Sequence, residues 1–405
     1  MTFQAIGVRS RTADTLLRGG ITEPNAVQEA AIPALLAGSD CVIEAPTGSG
    51  KTLAFVTPLV ERLRGHATHG ARALVVTPTR ELAAQVAAAT RMVDPALRTV
   101  LCVGGVGYGE QTGGLRNAPD VVVACPGRLL DLVNMGAARL QRVEYLVLDE
   151  ADEMLDQGFA RDVEKIIGLC QTGENGKPQM VLASATMPAW VQQMISRHLR
   201  SPARIRIATE QQPDLEHSVL RIERARKIET LSTLLRHQAR GALSQTIVFH
   251  RTKHGARKLA RDLTRLNHRT GELQGNLSQN ARDRALDLFR ARGTDVLVAT
   301  NVAARGIDVV NVGLVINYEL PETPQWLTHR VGRTARNGAA GRAITFLTEE
   351  DGVQWSKLRR LGAPALSELD AERLISTGEW LQRSPRPAAI SALPSRQQHR
   401  RRHRP

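Results

Sequence analysis

Two short segments hold the residue types that phosphate chemistry needs. The first is Ala45-Pro46-Thr47-Gly48-Ser49-Gly50-Lys51-Thr52, which begins on the last residue of the strand-like run 41–45. Small residues let consecutive backbone N–H groups wrap a phosphate, and a helix opening behind them presents its positive end. Lys51 is expected to reach the β- and γ-phosphates and Thr52 to ligate Mg²⁺. Ala45 stands where the general GxxxxGK[ST] pattern has its first glycine. The second segment, Tyr145-Leu146-Val147-Leu148-Asp149, delivers a carboxylate to the C-terminal end of an apolar strand, where ligands sit in open parallel sheets. Asp149 is expected to hold Mg²⁺ through water, and Glu150 to orient and deprotonate an attacking water. A third set, Arg330, Arg333 and Arg336, recurs every third residue, which on a helix makes Arg333 and Arg336 neighbours. Spacing alone leaves open whether these arginines meet phosphate or form a solvated face.

Residues of this kind must be held by a scaffold, and the surrounding pattern describes one. Short β-branched runs alternate with helical patterns, as in βαβ units. The first stretch has strands expected at 41–45, 73–77, 99–103, 121–124, 145–149 and 180–184. The second has them at 246–250, 295–299, 313–317 and 343–347, with amphipathic segments at 252–266 and 279–290. Between them, 207–217 is polar and contains Pro213, so it reads as a linker. The expected architecture is α/β: two mainly parallel sheets flanked by helices, covering residues 1–207 and 218–362, joined by 208–217 and followed by an extension, 363–405. The length of 405 residues agrees, giving about 2.7 as a soft domain count.

Composition narrows the function further. Lys+Arg 54 against Asp+Glu 40 gives a net charge of +14 and points to a polyanionic partner, nucleic acid being the commonest. Seven arginines and no acid fall within 381–405, a Pro-, Ser- and Gln-rich stretch expected to be disordered and to bind phosphates without sequence preference. Hydrophobic residues at 42% and charged residues at 23% exclude a wholly disordered or fibrous chain. There is no run of 18 apolar residues and no secretory leader pattern, so no membrane partner is expected. Cys41, Cys102, Cys125 and Cys170 lack zinc or disulfide spacing and suit reduced thiols in a cytoplasm. Aromatic content is 3%, and most of it (Phe249, Phe289, Phe346, Tyr318) falls in core patterns, so base-stacking recognition modules are not expected.

Taken in order, APTGSGKT, PTRELA (78–83), PGR (126–128), DEAD (149–152), SAT (184–186), ARGID (304–308) and HRVGRTAR (329–336) resemble the DEAD-box RNA helicases of superfamily 2, over about residues 3–347. The resemblance implies two tandem RecA-like domains with ATP and Mg²⁺ in the cleft and RNA across both. It further implies ATP hydrolysis that separates short duplexes or remodels RNA–protein complexes, such as ribosomal or messenger particles. No obligate protein partner is evident. By the same resemblance, GITEPNAVQ (20–28) is the adenine-reading segment. There Gln28 can pair with adenine through its donor and acceptor, and Phe3 lies upstream. Asp308 is placed near the ribose. Arg333 and Arg336 become arginine fingers on the γ-phosphate, which makes hydrolysis depend on closure of the two domains. Pro78, Thr79, Arg80, Gly104, Gly105, Pro126, Gly127, Arg128, Gly275, Gln279 and Thr300 are the implied RNA contacts, mainly to the sugar-phosphate backbone. Ser184, Thr186, His329 and Arg330 are implied to couple the two sites. Five positions depart from the family pattern. Ile21 replaces an aromatic, so a weaker adenine grip is expected, and Cys125 replaces Thr. Gln274, Asn301 and Leu327 replace His, Asp and Tyr, which bears on RNA coupling. Two other readings remain open on the sequence: a duplex-DNA translocase of the same superfamily, and an ATP-dependent RNA clamp or annealing protein that does not hydrolyse.

Overall fold

A computed structural model of the chain describes residues 1–46, 48–64, 70–171, 176–207, 215–238, 245–301, 312–335 and 340–382. Thr47, Arg305, Gly306, Asp308, Arg336 and the arginine-rich tail therefore lie outside the described residues.

Short, mostly apolar runs buried on both faces build the first sheet. Its strands are β1 (Cys41–Glu44), β2 (Ala73–Val76), β3 (Thr99–Cys102), β4 (Val121–Ala124), β5 (Tyr145–Asp149), β6 (Gln179–Ser184) and β7 (Ala203–Arg206). They are ordered β3-β4-β2-β5-β6-β1-β7, and every pair is parallel. Cys41, Ile43, Val75, Val123 and Val147 pack into one core, while Val42, Leu74, Val122 and Leu148 pack into another across the sheet. Helices therefore cover both faces, as a parallel sheet requires.

The second sheet repeats the plan with β8 (Leu215–Arg221), β9 (Thr246–Phe249), β10 (Thr270–Leu273), β11 (Val296–Ala299), β12 (Leu314–Asn317), β13 (Gly341–Leu347) and β14 (Ser367–Leu369). The order is β10-β11-β9-β12-β13-β8-β14, again parallel throughout. These are two tandem RecA-like units.

Two expected boundaries differ from the structure. β8 begins inside the segment read as linker, because Ser218, Val219 and Leu220 are buried and pair with β13 despite the polar Glu216 and His217 before them. The segment after 362 is not a separate extension as far as Gln382. β14 pairs with β8, and Leu374 and Leu381 enter the same core as Val248 and Ile316. Trp380 Nε1 donates to Glu216 Oε1 at 2.6 Å, and Arg342 Nη1 donates to the Leu381 carbonyl at 2.9 Å. Removing the Leu374 side chain alone would cost about 2–5 kcal/mol at such a buried site.

Among the described residues no helix is long and apolar enough to cross a membrane.

Candidate functional site

Because every strand runs the same way, the C-terminal ends of β1, β6 and β5 lie side by side on one edge of the first sheet. Glu44 pairs with Ser184, and Asp149 with Ala183, so the loops after these strands converge. A concavity of about 860 Å³ lined by Ala71, Pro119 and Arg142 sits at the opposite edge, before β2, β4 and β5, and is no part of this cleft.

The phosphate-type loop leaves β1 and enters the helix Lys51–Leu63. Gly50 caps that helix at φ 86°, a left-handed conformation that favours glycine. A Cβ there would also strike the side-chain amides of Asn25 and Gln28. Lys51 Nζ donates to the carbonyls of Ala45 at 2.6 Å and Pro46 at 2.9 Å, across the mouth of the loop.

Gln28 does something the sequence did not suggest. Asn25 and Gln28 form a capping box: Asn25 Oδ1 accepts from the Gln28 backbone N–H at 3.1 Å, and Gln28 Oε1 accepts from that of Asn25 at 3.0 Å. Gln28 Nε2 then donates to the Gly50 carbonyl at 3.3 Å, and Asn25 Nδ2 to the Ser49 carbonyl at 2.9 Å. Both amides thus brace the loop, and Gln28 Oε1 keeps a second lone pair for a further donor. Phe3 is 3% exposed and belongs to the first unit's core, so it is not an open stacking face. Ile21 packs against the same core.

Asp149 ends β5 behind three fully buried residues, Leu146, Val147 and Leu148, each worth about 1.5–3 kcal/mol of burial. Burial, and next the charge of Glu150, push its carboxyl up to about 7, with Lys51 pulling the other way. Glu150 takes the left-handed conformation, φ 50° and ψ 53°, and its Oε2 is buried without a hydrogen-bond partner. Burial would raise its carboxyl, but a hydrogen bond with Glu153 and the positive fields of Arg333, Lys51 and His329 outweigh that and hold it below its ordinary value.

Ser184 and Thr186 tie this acidic turn to β6. Asp152 Oδ2 accepts from the Thr186 hydroxyl at 2.6 Å and from its N–H at 2.9 Å. The Ser184 hydroxyl accepts from the Asp152 N–H at 3.2 Å and donates to the Thr186 carbonyl at 2.7 Å.

A second edge runs from the helix Arg80–Val93 to the second unit. Thr79 caps this helix, its hydroxyl accepting from the Leu82 N–H at 3.2 Å, so that hydroxyl serves the backbone. Arg80 lies against Gly104 and Gly105; Gly105 is at φ 74°, and a Cβ there would collide with the guanidinium. Arg80 Nη1 also donates to Gln279 Oε1 of the second unit at 3.4 Å.

Beside that contact, Arg282 donates to Glu81 Oε1 through Nε at 2.9 Å and Nη2 at 2.5 Å. Both side chains are about nine-tenths buried. Arg282 and its pairing with Glu81 were not legible in the sequence, where nothing links positions 201 residues apart. The only available signal was the three-residue offset from Gln279, which puts Arg282 on the same helix face.

Pro126 and Gly127 open the helix Pro126–Asn134, with Cys125 at its cap making no side-chain cap bond. Arg128 Nη1 donates to the Val106 carbonyl at 2.9 Å. In the second unit, Lys253 packs against Gly275 and donates to Asn276 Oδ1 at 2.9 Å. Gln274 Oε1 accepts from the Asn276 N–H at 2.7 Å, and Thr300 is buried beside β10, its N–H donating to the Leu273 carbonyl.

Arg330 is 1% exposed and, among the described residues, has no carboxylate in salt-bridge contact. It donates to Asn301 Oδ1 at 2.6 Å, the Glu319 carbonyl at 2.7 Å and Asn317 Oδ1 at 3.3 Å, while Nη2 is left without a partner. Burial brings its guanidinium down to about 10. Asn301 Nδ2 in turn donates to Glu322 Oε2 at 3.0 Å. Leu327, where a tyrosine is usual, is buried among Leu320, Leu347 and Leu358.

A phosphate-type loop and acidic strand end on one RecA-like unit, facing basic side chains from a second, define a two-domain P-loop nucleoside triphosphatase. Comparison with known proteins makes the family specific. The DEAD/DEAH box helicase family model matches residues 25–194, and the Helicase conserved C-terminal domain matches residues 226–338. The chain is 36% identical over 380 residues to the DEAD-box ATP-dependent RNA helicase CshA of Bacillus licheniformis, covering 91% of this chain and 76% of that one. It is 39% identical over 400 residues to the chloroplastic DEAD-box ATP-dependent RNA helicase 3B of Zea mays, covering 93% of this chain and 53% of the relative. The structure of Saccharomyces cerevisiae Dbp5 bound to RNA and ADP BeF3 superposes with a TM-score of 0.81 at 28% identity, covering 94% of this chain and 98% of that one. The chain belongs to the DEAD-box ATP-dependent RNA helicase family. It spans about half the length of the plant relatives it matches.

Proposed function

We propose that the chain is an RNA-stimulated ATPase that separates short RNA duplexes or remodels RNA–protein complexes. The observation that carries this reading is the convergence on Glu150: an acidic side chain of the first unit lies in the field of Arg333 and His329 from the second. Hydrolysis that needs both units responds to whatever holds them together, and RNA lying across both would do so. The working division is residues 1–207 for the nucleotide-binding unit and 215–382 for the second.

Lys51 exchanges its two carbonyl partners for phosphate oxygens of ATP. The buried pair Asp149 and Glu150, with the Asp149 carboxyl pushed up to about 7, suits a divalent cation, whose charge would favour its ionised form. Thr52 and Asp149 are the residues that would hold Mg²⁺, which neutralises phosphate charge when bound. Glu150, kept ionised by its basic surroundings, orients the attacking water and accepts its proton. Arg333, and Arg336 by resemblance, address the γ-phosphate. Gln28 acts on the nucleotide through the loop it braces. Arg80, Gly104, Gly105, Gln279 and Gly275 line the path for the RNA backbone, with Ser184, Thr186 and Arg330 relaying between the sites. The four free, inward-facing thiols fit a cytoplasmic setting.

The test is ATP hydrolysis by the purified chain with no nucleic acid, single-stranded RNA, duplex RNA with an overhang, or the matching DNA, beside Glu150→Gln. Stimulation by RNA alone, abolished by the substitution, is expected. Equal or greater stimulation by DNA would replace this reading with a DNA translocase, and no turnover under any condition would leave a non-hydrolysing clamp.

A further inference from the structure

Of the six Phe, three Tyr and four Trp, Tyr108 alone is exposed. It begins the helix Tyr108–Arg116 just after Gly104 and Gly105, and 41% of its surface faces solvent. A single exposed aromatic is ordinary on a protein surface. This one is held in place. The Arg128 guanidinium lies 4.1 Å from the ring centre, and the hydroxyl donates to Asp131 Oδ2 at 3.2 Å. The loop beneath it is pinned as well: Gln111 Nε2 donates to the carbonyls of Val103, Val106 and Gly107 at 3.1–3.3 Å, and Arg128 also donates to Val106. Fixing a side chain costs conformational entropy, and Tyr108 buries nothing in either core of its unit to offset that cost. The ring follows within four residues the loop on which Arg80 lies.

We infer that Tyr108, backed by Arg128, is a stacking platform for one base of the bound RNA strand. The inference rests on the RNA-binding reading above and adds to it a contact with a base rather than with the backbone. A ring with a cation over one face and 41% of its surface exposed can take a nucleobase without regard to sequence, and the arginine adds a cation–π contribution. A base stacked on protein is withdrawn from its own helical stack, so the platform also marks where a duplex cannot continue.

The experiment uses single-stranded RNA oligonucleotides with one 2-aminopurine moved through successive positions, titrated with the full chain and a non-hydrolysable ATP analogue. Wild type is expected to quench one position more than its neighbours. Tyr108→Leu, which keeps apolar bulk without a π-face, is expected to lose that quench and to bind RNA about five- to tenfold more weakly. Tyr108→Phe, lacking only the hydroxyl, is expected to keep both. An abasic nucleotide at the quenched position tests the same contact in the unaltered protein and is expected to weaken wild-type binding by a similar factor. Uniform quenching along the RNA, or a leucine variant matching wild type in affinity and fluorescence, overturns the platform while leaving the helicase reading intact. Failure of wild type to bind RNA at all overturns both.

Discussion

Asn301 shows how one side chain can serve two neighbours that a carboxylate could not. Its amide oxygen accepts from Arg330 while its nitrogen donates to Glu322 Oε2. Aspartate, usual in this family, would strengthen the first contact through charge but face Glu322 with a second carboxylate. Asn301→Asp is therefore expected to destabilise the protein by about 1 kcal/mol, a fall in Tm of a few degrees. Adding Glu322→Gln to that variant should reverse the loss. A rise in Tm from Asn301→Asp alone would show that Arg330 lacks a counter-charge more than Glu322 lacks a donor. The replacement of Asp by Asn was visible in the sequence, and so was its place after Thr300. Glu322 was not, because the partner lies 21 residues away on another loop. The same holds for Gln28: its type suggested base recognition, and only the geometry reveals that its amide is shared with Asn25 and Gly50.

At the level of elements, β12, β13 and β8 carry a buried polar chain through the second sheet. Arg330 donates to Asn317 Oδ1, Asn317 Nδ2 donates to the Thr345 hydroxyl at 3.0 Å, and His217 Nε2 lies 2.9 Å from that same oxygen. A hydroxyl that accepts from Asn317 can donate to an unprotonated imidazole nitrogen, so the chain is complete when His217 is neutral. Burial lowers the His217 pKa to about 4 from an ordinary 6.5. Between those values the unfolded chain binds the proton and the folded one does not, so this contribution is intact above pH 6.5 and is lost as pH falls toward 4. Between pH 7.5 and 5, wild type should lose on the order of 1–2 kcal/mol more stability than His217→Asn, read from urea midpoints. Equal losses would mean that the histidine titrates normally. The ten strands expected from apolar runs are all present, within a residue or two at each end. β7, β8, β10 and β14 were missed for a physical reason. Three of them, β7, β10 and β14, lie at sheet edges, where one strand side has no partner and polar residues are tolerated. β8 is internal but carries Glu216 and His217 near its start, whose polar groups are satisfied by Trp380 and Thr345.

For the molecule as a whole, the question is what holds the two units in register. Glu81 and Arg282 form a desolvated ion pair across the junction, and loss of either side chain removes that charged contact between the units. Arg282→Ala or Glu81→Ala should lower RNA-stimulated turnover at least about tenfold. Exchanging the two, Glu81→Arg with Arg282→Glu, should recover part of it. No change in stimulated turnover in either single variant would mean that closure is governed elsewhere. Two α/β units were legible because β-branched runs and motif order are local properties. The junction between them was not, since it depends on pairs of residues some 200 positions apart.

Glu150 carries a history as well as a chemistry. Its left-handed backbone and its buried, unpartnered Oε2 each lower the stability of the fold, and a glycine or asparagine would accept that turn more readily. A lineage selected only for resistance to heat would be expected to discard this residue early. On the proposed reading, in which Glu150 activates the attacking water, its retention is what selection for turnover would leave behind.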